Sequence, residues 1–153
     1  MCMQELNLPQ YDFRLRKENE QFQIFDEIRK KYVALTPEEW VRQHFIQYLV
    51  NHKKVPASLM ILEKKIVMNR MDRRPDILVH SKQGKPIMIV ECKAPEVKIS
   101  QDAFDQIARY NSVINAPYLV VTNGLQHFCC LMDPNKNTYR FLEEVPDYDE
   151  MSV

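Results

Sequence analysis

Apolar and polar positions along the chain form short alternating runs, two helical stripes and one pair of solid apolar blocks. The blocks are Ile77–Val79 and Ile87–Val90, and the polar break between them holds Gly84, one of only two glycines. Two β-rich runs around a glycine-containing break predict a hairpin, and unbroken apolar runs predict strands buried on both faces. With Gln83-Gly84 as a two-residue loop, Lys82 faces Lys85, Val79 faces Met88 and Asp76 faces Glu91. Upstream, Phe13–Arg16 alternates, Lys17–Glu20 is polar and Phe22–Phe25 resumes. This predicts a second hairpin over 12–17 and 21–26, continued as strand or short helix to Leu35 and covering a sheet edge. Thr36-Pro37-Glu38-Glu39 predicts a helix start, with Thr at the N-cap, Pro in the first turn and Glu closing a capping box. That helix runs to about Asn51 and turns Trp40, Val41, His44, Phe45, Tyr48 and Leu49 inward. Leu59–Met68 predicts one long strand, with Lys64 and Lys65 in its solvated part. Ser100 caps a second helix from Gln101 to about Asn115, with Ala103, Ile107 and Ile114 buried. Tyr118–Thr122 follows a helix and is expected to pair parallel to an earlier strand. Gln126–Met132 and Thr138–Leu142 complete the strands, and the acidic end is expected to fray.

This order predicts an α/β fold, a mixed sheet sandwiched by helices with an N-terminal β-hairpin extension. A length of 153 residues with 45% hydrophobic content fits one domain over 1–153. Its core spans about 36–133, the β extension about 10–35 and the acidic tail about 143–153. No run approaches the ~20 apolar residues of a membrane span. Met1–Glu5 has neither the basic nor the apolar region of a signal peptide. Cys2, Cys92, Cys129 and Cys130 form no C-x-x-C pair, and the histidines are scattered. A zinc site is not expected, and reduced thiols suit a cytoplasmic location.

The hairpin places Asp76 beside Glu91 at its open end, with Lys93 two positions on and on the same strand face as Glu91. Close carboxylates repel unless a cation lies between them. A hard divalent ion suits oxygen donors, and Mg²⁺ commonly takes one or two protein carboxylates together with phosphate oxygens. Lys93 could then orient or deprotonate a water, or stabilise charge on a phosphate. This is the layout of metal-assisted phosphodiester hydrolysis. On the second helix Asp102, Gln106 and Tyr110 share one face, from which Gln106 and Tyr110 could hold a water or a phosphate. Glu39 is explained locally as the acid of the capping box. Formal charge is balanced, 21 basic against 21 acidic residues, which disfavours strong non-specific nucleic-acid binding. Locally Arg70, Arg73 and Arg74 precede Asp76 and Lys98 follows Lys93, a basic rim able to meet a phosphate backbone.

Pro75-Asp76 followed by Glu91-Cys92-Lys93 resembles the PD-(D/E)xK nuclease signature, and Gln106-Ile-Ala-Arg-Tyr110 resembles the Q-x-x-x-Y element of a subset of those nucleases. Residues 10 to 145, including Leu35-Thr-Pro-Glu-Glu-Trp-Val-Arg-Gln43, are similar to the N-terminal nuclease domain of the motor/restriction subunit of type I restriction enzymes. The resemblance implies a restriction-endonuclease-like fold and Mg²⁺-dependent DNA cleavage, with Mn²⁺ as a substitute. It implies Asp76, Glu91 and the Cys92 backbone carbonyl as metal ligands, with Glu39 nearby, and Lys93, Gln106 and Tyr110 as catalytic residues. No G-x-x-x-x-G-K-[ST] phosphate-binding loop is present, so a helicase motor is not expected in this chain. Two rival readings follow. One is a nuclease-fold assembly module that serves a separate motor or DNA-recognition subunit, or a homodimer. The other is a small-substrate hydrolase using the same acids.

Overall fold

In the computed structural model the described residues are 3–68, 71–133, 135 and 138–151; within them, the side chains of 67, 68, 71–73 and 110 are not described. Three antiparallel strands open the chain: β1 (Leu15–Glu18), β2 (Gln21–Asp26) and β3 (Lys31–Ala34). The expected hairpin is therefore a three-stranded meander, because Asp26 builds a second tight turn. Its Oδ1 accepts from the N–H groups of Ile28 and Arg29, each at 2.8 Å, a side-chain turn that periodicity does not reveal.

Helix α1 (Pro37–His52) begins as expected, with Thr36 Oγ1 accepting from the Glu39 N–H at 3.0 Å. A six-stranded sheet follows, built from β4 (Met60–Leu62), β7 (Ile77–His80), β8 (Pro86–Cys92), β9 (Tyr118–Thr122), β10 (His127–Asp133) and β11 (Thr138–Leu142), in the order β11-β10-β9-β8-β7-β4. Its β8–β9 pair is parallel, as the intervening helix α2 (Gln101–Ile114) requires. The expected long strand over Leu59–Met68 is broken. Glu63 takes φ of 54°, and Ile66–Met68 (β5) leaves the main sheet to pair with Met71–Arg73 (β6). A glutamate in the left-handed region cannot continue a pleated strand.

The central hairpin has the expected register where it matters, with Ile77 opposite Val90, Leu78 opposite Ile89 and Val79 opposite Met88. Its loop differs from the two-residue expectation. Register shifts after Val79, Ser81 pairs with Lys85, and the Gly84 N–H returns to the Ser81 carbonyl at 2.9 Å. Gly84 at φ of 82° supplies the left-handed residue that a three-residue hairpin loop needs.

Helices cover both sheet faces. Val41, Phe45 and Leu49 of α1 pack on Met88, Val90 and Val120, while Phe104 and Ile107 of α2 pack on Ile89, Leu119 and Val121. Period-two alternation assigns Glu91 to the α2 side, in line with Ile89. The acidic end does not fray. Helix α3 (Tyr148–Met151) buries Tyr148 and Met151 against the α1 core, together with Val145. Burial of those three apolar residues outweighs the acidity around them. Among the described residues no helix is long and apolar enough to cross a membrane.

Candidate metal and phosphodiester site

Three elements converge at the open end of the β7–β8 hairpin. Asp76 lies in the bend just before β7, Glu91 near the end of β8, and Lys93 one residue beyond it. Backbone pairing sets their places. The Lys93 N–H donates to the Thr122 carbonyl at 2.8 Å, carrying the β8–β9 pairing past the strand end. One contact ties the hairpin's open end together: the Cys92 N–H donates to Asp76 Oδ2 at 2.7 Å. Cys92 gives its amide to Asp76, a contact separate from the ligand role expected of its carbonyl. Its thiol is buried and held protonated by burial and by the Asp76 charge.

Glu91 is 6% exposed, and among the described residues its Oε1 is the buried side-chain oxygen that no hydrogen bond satisfies. Burial raises the affinity of Glu91 for a proton, the Asp76 charge raises it further, and Lys93 opposes both. Asp76 is also pushed upward by burial, against the Cys92 amide, Arg42 and Lys93, which pull it down. Like charges ~5 Å apart repel by about 3 kcal/mol at an effective dielectric of ~20. A cation between the two oxygens would remove that repulsion and satisfy Glu91 Oε1. The donors are hard carboxylate oxygens, which suits a small divalent ion. Among the described residues no group of three or more His, Cys, Asp or Glu side chains is placed to hold a metal.

Glu39 stands differently. Its Oε1 and Oε2 accept from Arg42 Nη2 at 2.6 Å and Nε at 2.9 Å, and further from Arg29 at 3.2 Å and Gln43 at 3.0 Å. Burial works against ionisation, but these donors keep its carboxyl below the usual range. Both oxygens are occupied by cations and an amide, so Glu39 meets Asp76 through Arg42, whose Nη1 lies 3.7 Å from Asp76 Oδ1. Arg42 also touches Glu63 at 3.3 Å. The sequence pattern alone assigns neither Arg42 nor Glu63 to the site. Helical spacing pairs Arg42 with Glu39, but nothing local reveals its reach to residues 63 and 76.

On α2, Gln106 is half-buried, and the side chain of Tyr110 lies outside the described residues. Arg74 and Lys98 are exposed on either side of the acids in sequence. Arg73 belongs to β6 without a described side chain, and Arg70 lies outside the described residues.

Residues 37–146 match the family described as type I restriction enzyme R protein N terminus. The chain belongs to this family. Among solved structures, a fragment described as an HsdR subunit of a type I restriction enzyme from Vibrio vulnificus YJ016 shares the fold of this R-protein N-terminal chain. It is 19% identical, with a TM-score of 0.54 over 78% of the present chain and 25% of the fragment. The chain thus spans a quarter of that fragment's length. No curated protein matches it.

Proposed function

We propose that this R-protein N-terminal domain hydrolyses DNA phosphodiester bonds as a Mg²⁺-dependent endonuclease, with Mn²⁺ as a substitute. The observation that carries the reading is the unsatisfied, buried Glu91 Oε1 beside Asp76. Asp76 and Glu91 would hold the ion, which supplies Lewis-acid activation of water and charge neutralisation at the phosphate. Lys93 stands on the same strand side as Glu91, where its neutral amine would take the attacking water's proton or its ammonium would stabilise phosphate charge. Gln106 and Tyr110 on α2 position the water or the phosphate. Arg70, Arg73, Arg74 and Lys98 meet the DNA backbone, so binding weakens steeply with salt. Family membership supports a restriction-system setting, with separate motor and specificity subunits, or a second copy, as partners for double-strand cleavage.

Calorimetric titration with Mg²⁺ and Mn²⁺, followed by incubation with supercoiled plasmid, tests this directly. The wild type should bind the ions and nick the plasmid. Asp76→Ala and Glu91→Ala should lose both properties while staying folded, and Lys93→Ala should bind the ions without nicking. Undiminished nicking by Lys93→Ala would overturn the catalytic assignment. Ion binding by a wild type that leaves plasmid intact would mean that cleavage needs a motor or recognition partner. No ion binding at all would reject the site.

A further inference from the structure

The N-terminal meander precedes the segment that matches the family, yet it reaches the candidate site. The Asp26 turn between β2 and β3 aims Arg29 at α1. The Arg29 guanidinium is spread over three carboxylates, Nε to Asp26 Oδ2 at 2.7 Å, Nη2 to Glu39 Oε1 at 3.2 Å and Nη1 to Glu63 Oε2 at 3.2 Å. Arg42 repeats the pattern one layer closer to the site. It forks Glu39 with Nε and Nη2 and leaves Nη1 between Glu63 Oε1 at 3.3 Å and Asp76 Oδ1 at 3.7 Å. Gln43 ties the base of the arrangement, donating to both Asp26 and Glu39.

We infer that Arg42 is a positioning residue for Asp76 and that Arg29 locks Arg42, which makes the N-terminal meander a structural part of the cation site. The inference rests on the metal-site reading above. Asp76 Oδ2 is fixed by the Cys92 amide, which leaves Oδ1 as the oxygen free to take a ligand. Arg42 Nη1 at 3.7 Å lies beyond hydrogen-bond length, so it steers Oδ1 by charge without filling its lone pairs. That steering depends on the planar fork: a guanidinium can hold Glu39 with two donors and still present a third, whereas a compact ammonium cannot. Arg29 occupies Glu39 Oε1 and Glu63 Oε2 from the other side, so neither acid draws Arg42 away from Asp76.

The test is a Mn²⁺ titration of the full chain as wild type, Arg42→Lys, Arg29→Lys and the double variant, each also melted thermally. Partners that orient metal ligands typically cost 10–100-fold in affinity when changed. Arg42→Lys should weaken Mn²⁺ binding about tenfold, and Arg29→Lys severalfold. The double variant should bind no more weakly than Arg42→Lys alone, since residues acting through one another are non-additive. In plasmid nicking, kcat should fall and the KM for DNA should stay. Unchanged Mn²⁺ affinity with a lowered Tm would reduce the arginines to pins between meander and helix, and independent, additive losses would break the proposed order of action. If Mn²⁺ binding is abolished by Asp76→Ala but kept by both lysine variants, only this inference fails; if the wild type binds no Mn²⁺, the metal-site reading fails and takes this inference with it. Should Arg42→Lys not fold, Arg29→Lys, whose side chain is 19% exposed, carries the comparison.

Discussion

At the scale of single residues, Glu91 is where stability and proposed chemistry pull apart. A buried carboxyl beside a second carboxyl is easier to keep protonated than charged. Its raised proton affinity means that the folded chain holds a proton the unfolded chain has released. The contribution of Glu91 to stability therefore falls as pH rises above the ordinary carboxyl range of about 4. Replacing it by glutamine removes the charge but keeps the shape. Glu91→Gln should stabilise the metal-free protein at pH 8 by about 1–2 kcal/mol, read as a raised Tm, and should abolish Mn²⁺ binding. Thermal melts at pH 5 and pH 8 check the first half, with the gain present at pH 8 and small at pH 5, and calorimetry the second. A Tm lowered by the substitution would mean that the Glu91 charge is already compensated in the metal-free fold.

At the scale of elements, the junction between the meander and α1 depends on one aspartate. Asp26 is fully buried and accepts from two backbone N–H groups, Arg29 and Gln43. Burial alone would raise its pKa, but the hydrogen bonds and the Arg29 charge bring it below its ordinary value. A depressed carboxyl contributes stability that is present above about pH 4 and lost as pH falls through the folded value. Asp26→Asn should cost about 3 kcal/mol at pH 7, since it leaves Arg29 short of its partner. The difference from wild type should shrink below pH 4. Urea unfolding at pH 7 and pH 3 measures both. An equal cost at the two pH values would show that shape, rather than charge, is what Asp26 supplies.

For the whole molecule, the C-terminal segment closes the α1 layer from behind. Tyr148 is 2% exposed, its hydroxyl donates to the His80 carbonyl at 3.0 Å, and its N–H donates to the Lys53 carbonyl at 2.8 Å. These contacts join β7, α1 and α3 at the loop end of the central hairpin, opposite the end that carries Asp76 and Glu91. Tyr148→Ala should cost about 3–4 kcal/mol, as large-to-small changes of buried aromatics do. That corresponds to a fall in Tm of about 10 °C for a chain of this size. Mn²⁺ affinity of the folded fraction should not change, which calorimetry below the melting range would show. A parallel loss of affinity would mean that the two ends of the hairpin communicate.

Local pattern by itself determined the β7–β8 register from Ile77 to Val79, the Thr36 cap of α1, the two helices and the parallel return of β9. Each rests on period, capping or connection length, which are properties of neighbouring residues. It also brought Asp76 near Glu91, because two apolar strands of matched length have one register that buries both. Tertiary structure alone decided what cannot be read within a few positions. The Asp26 side chain turned a hairpin into a meander, Glu63 broke a strand that propensity favours, and Tyr148 anchored an acidic end that composition leaves loose. Above all, Glu39 and Asp76 share Arg42, and Glu39 and Glu63 share Arg29. Those links join residues tens of positions apart in sequence. A guanidinium chooses among carboxylates by distance and burial, and both exist only once the sheet and α1 have packed.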